Sequence, residues 1–232
     1  MSLITAVIIP ALNEAAHIGP LVRETLGQPV GWVIVVDNGS TDATAANAVS
    51  AGAVLVPEPR QGYGYACATG AAVAQSKGAE ILVFMDGDYS SVPGEIPRLL
   101  APINIGQADL VLGSRTRGQI EAGAMPLHQR FGNWLSASLM RRLYDIDVTD
   151  LGPYRAIRTE LLESLAMEEM TFGWPTEMMA KAAKRNARIL EVPVSWHSRR
   201  SGRSKVGGTV RGSILAGYHI LRVTLRHARH PR

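Results

Sequence analysis

The chain has 232 residues, of which 46% are hydrophobic and 19% charged, and its formal net charge is +4. This composition excludes a disordered or low-complexity chain and suits one large α/β domain. Cys67, the only cysteine, excludes an intrachain disulfide and a thiolate metal cluster. With no run of about 18 apolar residues and no basic start before a cleavage site, we expect no membrane span, no signal peptide and a cytoplasmic protein.

Apolar runs alternate with helix-like segments through the first half of the chain. The strand-like runs are residues 4–9, 32–36, 53–56, 81–85 and 110–112, and the helix-like segments are residues 14–26, 42–50, 65–76 and 94–100. This alternation is typical of βαβ units. It predicts an α/β fold with a mostly parallel, Rossmann-like sheet flanked by helices.

The second half is less regular. Residues 116–125 contain glycine and show no periodicity, so we expect a mobile loop over one edge of the sheet. Residues 126–144 form a predicted helix with an apolar stripe of Phe131, Leu135, Leu139 and Leu143. A strand at 154–157, helices at 160–166 and 176–184, and a last strand at 188–195 complete the prediction.

The end of the chain is basic and amphipathic. Residues 199–232 contain nine lysines and arginines and no acidic residue. Val210, Ile214, Tyr218, Leu221 and Leu225 follow helical spacing, which predicts a domain at 1–205 and a basic amphipathic helix at 206–232. Such a helix either lies on an anionic membrane surface or packs its stripe on the domain.

Polar side chains follow the predicted strands. Asp86-Gly87-Asp88 comes directly after the fourth strand, and Asp37-Asn38 after the second. The carboxyl ends of parallel strands share one edge of a sheet, where α/β folds bind their ligands. Two neighbouring carboxylates favour Mg²⁺ or Mn²⁺ together with phosphate oxygens, although an Asp-Gly pair is also an ordinary turn.

Seven motifs occur in order along the chain. Together they resemble family 2 glycosyltransferases of the GT-A fold and, within that family, the dolichyl- or polyprenyl-phosphate sugar synthases. The motifs are Pro10-Ala-Leu-Asn-Glu14, Val35-Val-Asp-Asn-Gly-Ser-Thr-Asp42, Met85-Asp-Gly-Asp88, Leu112-Gly-Ser-Arg115, Thr149-Asp-Leu-Gly152, Glu191-Val-Pro193 and Arg199-Arg-Ser-Gly-Arg-Ser-Lys205.

The resemblance implies a UDP- or GDP-sugar as donor substrate and a site for it along this edge. It assigns the nucleoside to Pro10, Leu12, Glu14, Asp37 and Asn38, and the metal and diphosphate to Asp86, Gly87 and Asp88. Gly62 begins a glycine turn before a helix, where backbone N–H groups can meet an anion. Members of this branch often carry a glutamine two residues past the second aspartate, and here that position is Ser90, a weaker third metal ligand.

The implied reaction is inverting sugar transfer to a polyprenyl phosphate or another membrane-associated acceptor. An acceptor phosphate needs no general base, and Arg115, Arg203 and Lys205 would position it. An acceptor hydroxyl would need a carboxylate base, for which Asp150 is the best candidate beside an Asx-turn role. Glu177, in the same family pattern, is the other catalytic candidate, although helix capping also explains it.

Two other functions remain open at this point. A sugar-phosphate nucleotidyltransferase usually needs a basic glycine loop after the first strand, where this chain has Glu14. A non-catalytic GT-A-like partner subunit would have no need of Asp86, Asp88 and Asp150. We expect peripheral membrane contact at the cytoplasmic face and no nucleic-acid partner, and the sequence leaves open whether the chain forms a homo-oligomer.

Overall fold

The computed structural model describes residues 3–198 and 210–228. Arg203 and Lys205, predicted to bind the acceptor phosphate, lie outside the described residues. In chain order the elements are β1 (Thr5–Ala11), α1 (Ile18–Leu26), β2 (Trp32–Asp37), α2 (Thr44–Ser50), β3 (Val54–Pro57), α3 (Tyr63–Ser76), β4 (Ile81–Phe84), a 3₁₀ turn (Pro93–Glu95), α4 (Ile96–Asn104), β5 (Leu110–Ile120), α5 (Leu127–Tyr144), β6 (Arg155–Arg158), α6 (Thr159–Leu165), α7 (Trp174–Lys184), β7 (Ile189–Trp196) and α8 (Val210–Ala228).

The seven strands form one sheet in the order β3-β2-β1-β4-β6-β5-β7. β1 pairs in parallel with β2 and β4, β2 with β3, and β5 with β7. β6 is antiparallel to both of its neighbours, β4 and β5. The predicted α/β fold with a mostly parallel sheet is therefore confirmed, and β4 and β5 still end at the same edge.

The apolar runs of the first half are strands buried on both faces. In β1, Ala6 and Ile8 belong to the core on one side of the sheet, and Val7 and Ile9 to the core on the other. Successive side chains of a strand point to opposite faces, so helices on both faces require a continuous apolar run. This requirement is why the sequence identifies these strands.

The prediction of a loop over residues 116–125 is wrong for its first part. β5 continues to Ile120, and its pairing with β7 resumes at Gln119 opposite Ser195 after an irregularity that follows Ser114. At Gly118 a side chain would collide with the backbone of Val194. The strand depends on a partner about 75 residues later, so the local sequence gives no periodic signal.

The apolar stripe predicted for α5 is not its packed face. Phe131 is 62% exposed and Leu143 is 40% exposed. The buried residues of α5 are Ser136, Ala137, Met140 and Tyr144. The helix therefore packs through Ser136, Ala137, Met140 and Tyr144 and turns part of its predicted apolar stripe to solvent.

The C-terminal helix α8 packs on the domain, although not through the whole of its predicted stripe. Val223 and Thr224 are buried, whereas Tyr218 and Leu225 are 58% and 46% exposed. The Tyr144 hydroxyl donates a hydrogen bond to the Thr224 carbonyl at 2.6 Å. Among the described residues, no helix combines the length and the hydropathy needed to cross a membrane.

Candidate active site

The ends of β1, β2 and β4 meet at one edge of the sheet. Ala11, the last residue of β1, lies opposite Asp37, the last residue of β2. A Cβ atom at Gly87 would lie 3.2 Å from the Pro10 carbonyl oxygen, a tight contact that would push the loop after β4 slightly away from β1. The structure thus brings Pro10, Asp37 and Asp86 together at the edge where the sequence predicts the sugar nucleotide.

Asn38 holds the loop that follows β3. Its side-chain nitrogen donates hydrogen bonds to the carbonyls of Glu58, at 2.9 Å, and Arg60, at 2.7 Å. Its side-chain oxygen accepts a hydrogen bond from the Gly62 N–H at 3.0 Å. An aspartate could not donate to two carbonyls, so the amide is required by the loop itself. Contact with a nucleoside stays a prediction for Asn38.

Gly62 lies immediately before α3 with φ of +150°, a conformation that favours glycine. A Cβ atom there would lie 2.6 Å from the Met170 carbonyl oxygen. That carbonyl also accepts a hydrogen bond from the Gly64 N–H at 3.1 Å. The loop before α7 therefore satisfies one of the first N–H groups of α3, which reduces the anion-binding capacity of this helix end.

Leu12 and Glu14 belong to the turn between β1 and α1. Leu12 is half-buried and Glu14 is buried. The Glu14 carbonyl accepts hydrogen bonds from the N–H groups of His17 and Ile18, both at 2.9 Å, and its own N–H donates to the Thr44 hydroxyl at 2.7 Å. Because Glu14 belongs to this turn, α1 begins at Ile18 rather than at residue 14 as predicted.

Asp86 and Asp88 lie in the loop after β4, and Ser90 orients the second of them. One Asp88 carboxylate oxygen accepts hydrogen bonds from the Ser90 N–H at 3.1 Å and from its hydroxyl at 2.6 Å. The residue predicted as a weak third ligand thus fixes the rotamer of Asp88. Within residues 3–198 and 210–228, no group of three or more His, Cys, Asp and Glu side chains is arranged to hold a metal ion.

Two carboxylates nevertheless fit the ion predicted here. Mg²⁺ is commonly bound through one or two protein carboxylates, with substrate phosphates and water as the other ligands. Asp86 and Asp88 supply hard oxygen atoms at the edge where the predicted diphosphate lies, which suits Mg²⁺ or Mn²⁺.

Arg115 is clamped at the end of the regular part of β5. One Asp150 carboxylate oxygen accepts from the Arg115 backbone N–H at 2.7 Å and from Nε at 2.8 Å, and the other accepts from a terminal guanidinium nitrogen at 2.6 Å. The guanidinium also lies 4.8 Å from the centre of the Trp196 ring, a cation–π contact. Asp150 has no exposed side-chain surface and the Arg115 side chain is 14% exposed, so the pair is almost fully buried.

Glu191 holds the backbone of Asp150 in place, a role that the sequence analysis did not predict. Its buried carboxylate accepts hydrogen bonds from the N–H groups of Thr149, at 2.7 Å, and Asp150, at 2.9 Å, and from the Thr149 hydroxyl at 2.8 Å. Burial raises the pKa of this carboxyl, against the effect of those hydrogen bonds and of Arg117. The sequence did contain a signal for this role, because Glu191-Val-Pro193 is one of the seven family motifs.

Arg155 links the two halves of the site. It is buried, it lies opposite Phe84 of β4 and Leu112 of β5, and it donates hydrogen bonds to the carbonyls of Pro175, at 2.8 Å, and Gly152. Burial lowers its pKa to about 10, so it remains charged at neutral pH. β4, which leads to Asp86, and β5, which carries Arg115, are separated by β6, and the two strands are therefore two strand spacings or roughly 10 Å apart.

Glu177 lies in the first turn of α7 and is fully buried. One of its oxygens accepts hydrogen bonds from the N–H groups of Glu168, at 3.0 Å, and Glu169, at 2.7 Å, and the other lies 2.9 Å from the Lys181 ammonium nitrogen. These contacts fix the loop that also touches α3. A catalytic role for Glu177 stays a prediction.

A cavity of about 460 Å³ lies beside this site. Its lining consists of Glu24, Tyr89, Ser91, Val92, Pro93, Glu121, His197 and Ser198. None of the predicted site residues that the structure describes belongs to that lining, and its two glutamates would repel a phosphate. The cavity is therefore separate from the described residues that were predicted to bind the donor and the acceptor.

Comparisons with known proteins agree with this geometry. The model of the family described as Glycosyl transferase family 2 matches residues 6–166. An uncharacterized glycosyltransferase of Mycobacterium tuberculosis is 37% identical over 211 residues, which cover 90% of this chain and 93% of that protein. The undecaprenyl-phosphate mannosyltransferase of Micrococcus luteus is 33% identical over 226 residues, with 90% and 89% coverage.

A solved structure shows the same fold. Glucosyl-3-phosphoglycerate synthase from Mycobacterium tuberculosis, in complex with Mn²⁺, UDP and phosphoglyceric acid, superposes with a TM-score of 0.77 at 23% identity, covering 100% of this chain and 80% of that one. The polyprenol monophosphomannose synthase of Mycolicibacterium smegmatis, 30% identical with 88% and 82% coverage, extends the resemblance to the polyprenyl-phosphate branch. These matches favour glycosyl transfer over nucleotidyl transfer or a non-catalytic role. The chain belongs to glycosyl transferase family 2, has the GT-A fold and is a glycosyltransferase.

Proposed function

We propose that this enzyme transfers a sugar, with inversion, from a UDP- or GDP-sugar to the phosphate of a polyprenyl phosphate. The observation that carries the proposal is the way in which Asp150 binds only one edge of the Arg115 guanidinium. Asp150 occupies one edge of its guanidinium, Nε and one terminal nitrogen. The other edge makes no hydrogen bond to the part of the chain that the structure describes, and a planar guanidinium edge matches two phosphate oxygens.

The hydrogen bonds of Asp150 support the same choice of acceptor. Both of its carboxylate oxygens already accept hydrogen bonds from Arg115. A general base must have an oxygen within reach of an acceptor hydroxyl, and this carboxylate is poorly arranged for it. A phosphate acceptor is ionised at neutral pH and requires no base, so Asp150 acts here by positioning Arg115.

The reaction needs no proton transfer. A phosphate oxygen of the acceptor attacks the anomeric carbon, the bond from that carbon to the diphosphate breaks, and its electron pair leaves with the nucleoside diphosphate. Attack in line with the departing group inverts the anomeric centre. Asp86 and Asp88 would hold a divalent cation, which when bound neutralises charge on the diphosphate.

The relatives named above supply the substrate classes. The Micrococcus enzyme is named for undecaprenyl phosphate, and the Mycolicibacterium enzyme for a polyprenol monophosphate. The roughly 10 Å between β4 and β5, the strands that lead to Asp86 and Arg115, has room for a sugar between a diphosphate and an acceptor phosphate. In this arrangement Pro10, Asp37 and the loop held by Asn38 surround the nucleoside.

The test is transfer of radiolabelled sugar from UDP- and GDP-sugars to undecaprenyl phosphate, with Mg²⁺ or Mn²⁺ and with EDTA. We expect a lipid-phosphate product, loss of activity in EDTA, and a rise of at least tenfold in acceptor KM for Arg115→Lys, which cannot bind two oxygens along a planar edge. Transfer to phosphoglycerate or to a hydroxyl acceptor, with none to the lipid phosphate, would refute the proposed acceptor. Full activity in EDTA would refute the metal.

A further inference from the structure

One face of α5 carries large apolar side chains in contact with solvent. Leu127 is 80% exposed, Phe131 62% and Trp134 58%. Spacings of four and three residues put them on one side of the helix, which we call the α5 apolar face. The Phe131 and Trp134 rings lie 5.8 Å apart, so they form one aromatic surface. Single exposed apolar residues are common, whereas a cluster of this kind marks a binding surface.

The packing of α5 does not account for this face. The helix contacts the domain and α8 through other residues: Ser136, Ala137, Met140 and Tyr144 are buried, and the Tyr144 hydroxyl donates to the Thr224 carbonyl. Truncating Phe131 or Trp134 would therefore leave no cavity in the core. Their size and hydrophobicity call for a partner outside the described chain.

The surrounding charge favours an anionic partner. Leu127–Tyr144 contains Arg130, Arg141 and Arg142 and no acidic residue, and Arg130, next to Phe131, is exposed. The nearest acid before the helix is Glu121, six residues from Leu127, and it lies 3.5 Å from His197. The nearest acids after the helix, Asp145 and Asp147, follow Trp134 by eleven residues or more, about 16 Å along a helix. A second copy of this face would bring like charges together, whereas an anionic bilayer complements them.

The helix that carries the α5 apolar face is hydrogen-bonded to the site. Asn133 lies between Phe131 and Trp134 in sequence, and its side-chain nitrogen donates to the Thr149 carbonyl at 3.2 Å. Its oxygen accepts from the Leu151 N–H at 3.0 Å. These two residues flank Asp150, which clamps Arg115. The helix that carries Phe131 and Trp134 is therefore joined by hydrogen bonds to the residues on either side of Asp150.

We infer that Leu127, Phe131 and Trp134 insert into the interface of an anionic membrane and bring Arg115 to the level of the lipid phosphates. Aromatic side chains favour that interface because one end is apolar and the other tolerates water. The expected insertion is shallow, about 5–10 Å. The part that concerns Arg115 rests on the proposed function, whereas membrane binding itself does not.

The experiment is flotation of the full chain with vesicles of phosphatidylcholine alone or with 30% phosphatidylglycerol. We expect binding to the anionic vesicles and a loss of at least tenfold in the partition coefficient for Phe131→Ser/Trp134→Ser. The matched control is Val49→Ser/Ile105→Ser, since those side chains are 55% and 68% exposed on other helices or their ends. The control should bind as the parent does, and all three proteins should melt within a few degrees of one another.

Several results would overturn the inference. They are an unbound parent at low salt, equal binding by Phe131→Ser/Trp134→Ser, and equal binding to vesicles without phosphatidylglycerol. A parent dimer that this double substitution dissociates, with no vesicle binding, would assign the face to a second copy of the chain.

A paired activity assay separates this inference from the proposed function. The double variant should lose at least tenfold in transfer to undecaprenyl phosphate in vesicles and retain transfer to a short, water-soluble prenyl phosphate. If the parent binds vesicles through this face but transfers sugar to neither lipid, the surface stands and the proposed function fails. If both lipids are glycosylated by the parent and by the double variant alike, the function stands and the surface inference fails.

Discussion

Replacing Asp150 with asparagine distinguishes a positioning role from general-base catalysis. In the native protein Asp150 accepts three hydrogen bonds from Arg115, at 2.6 to 2.8 Å, and the pair is almost fully buried. Asparagine has the same shape but offers one acceptor oxygen, and its NH₂ group would face the N–H groups of Arg115. The substitution therefore removes the charge-assisted fork without opening a cavity.

The cost in stability follows from burial of the pair. Removing one partner of a buried ion pair costs about 3–5 kcal/mol, because the remaining charge stays desolvated. For a domain of this size each kcal/mol lowers the melting temperature by about 2–4 °C, so we expect a drop of roughly 10 °C. Asp147→Asn is the matched control, since Asp147 pairs with Arg117 at 3.1 Å but is 84% exposed, and such pairs contribute about 1 kcal/mol or less.

The kinetic expectation is a change in acceptor binding. Trp196 still contacts the Arg115 guanidinium, so a less ordered cation remains in the site. We expect Asp150→Asn to raise acceptor KM at least tenfold, with the donor KM and the shape of the pH–rate profile unchanged. A base contributes about 10²–10⁴-fold to the rate. A fall of that size in kcat, with loss of the acidic limb of the profile and unchanged acceptor KM, would show that Asp150 is the base.

Three further predictions follow from the sugar-nucleotide side of the site. Asp88→Ala should lower kcat by at least about 100-fold, because charge on the departing diphosphate is no longer neutralised, while circular dichroism shows an intact fold. Asn38→Asp should cost about 2 kcal/mol in urea unfolding and raise the donor KM, because a carboxylate oxygen would face the Glu58 and Arg60 carbonyls. Hydrogen bonds from Arg60 and Thr69 lower the pKa of Glu58 to about 2, so the stability they contribute should be complete above its ordinary pKa near 4.5 and fall as pH drops towards 2. Glu58→Gln should flatten that dependence in acid unfolding curves.

Each of these predictions has a control and a contrary result. Ser90→Ala keeps both aspartates and removes one hydrogen bond to Asp88, so a loss as large as that of Asp88→Ala would point to a structural defect. Full activity of Asp88→Ala would refute the metal assignment. Wild-type stability of Asn38→Asp would mean that its loop does not depend on the amide. If Glu58→Gln has the same acid unfolding curve as the parent, Glu58 does not contribute to the pH dependence of stability.

The strands near the amino terminus were predictable because their signal is local. β1, β2 and β4 are buried on both faces, and this requires continuous apolar runs that can be read without knowing the partner strands. The polar residues after those runs, Asp37 and Asp86, were placed at one edge by the geometry of parallel sheets alone. The structure shows that they lie at one edge of the sheet, whereas their contacts with substrate stay predictions.

The extended end of β5 and the orientation of two helices could not be read in the same way. β5 beyond Arg115 is a strand only because β7 pairs with it, and that pairing joins residues about 75 positions apart. In α5 and α8, apolar residues occur on more than one face, so periodicity does not say which face is packed. Met140 and Tyr144 contact α8, so their face of α5 is the packed one and Phe131 is left exposed.

By itself the sequence determined the α/β class, the edge that carries the site, and the family to which the chain belongs. Only the tertiary structure shows which contacts several of the predicted site residues make. Asp150 and Glu191 are distant in sequence, and a carboxylate acts as a base or as a clamp according to the groups that surround it. In the proposed function the hydrogen bonds from Arg115 make Asp150 a clamp, and no local pattern encodes these bonds because they depend on how β5, β6 and β7 pack together.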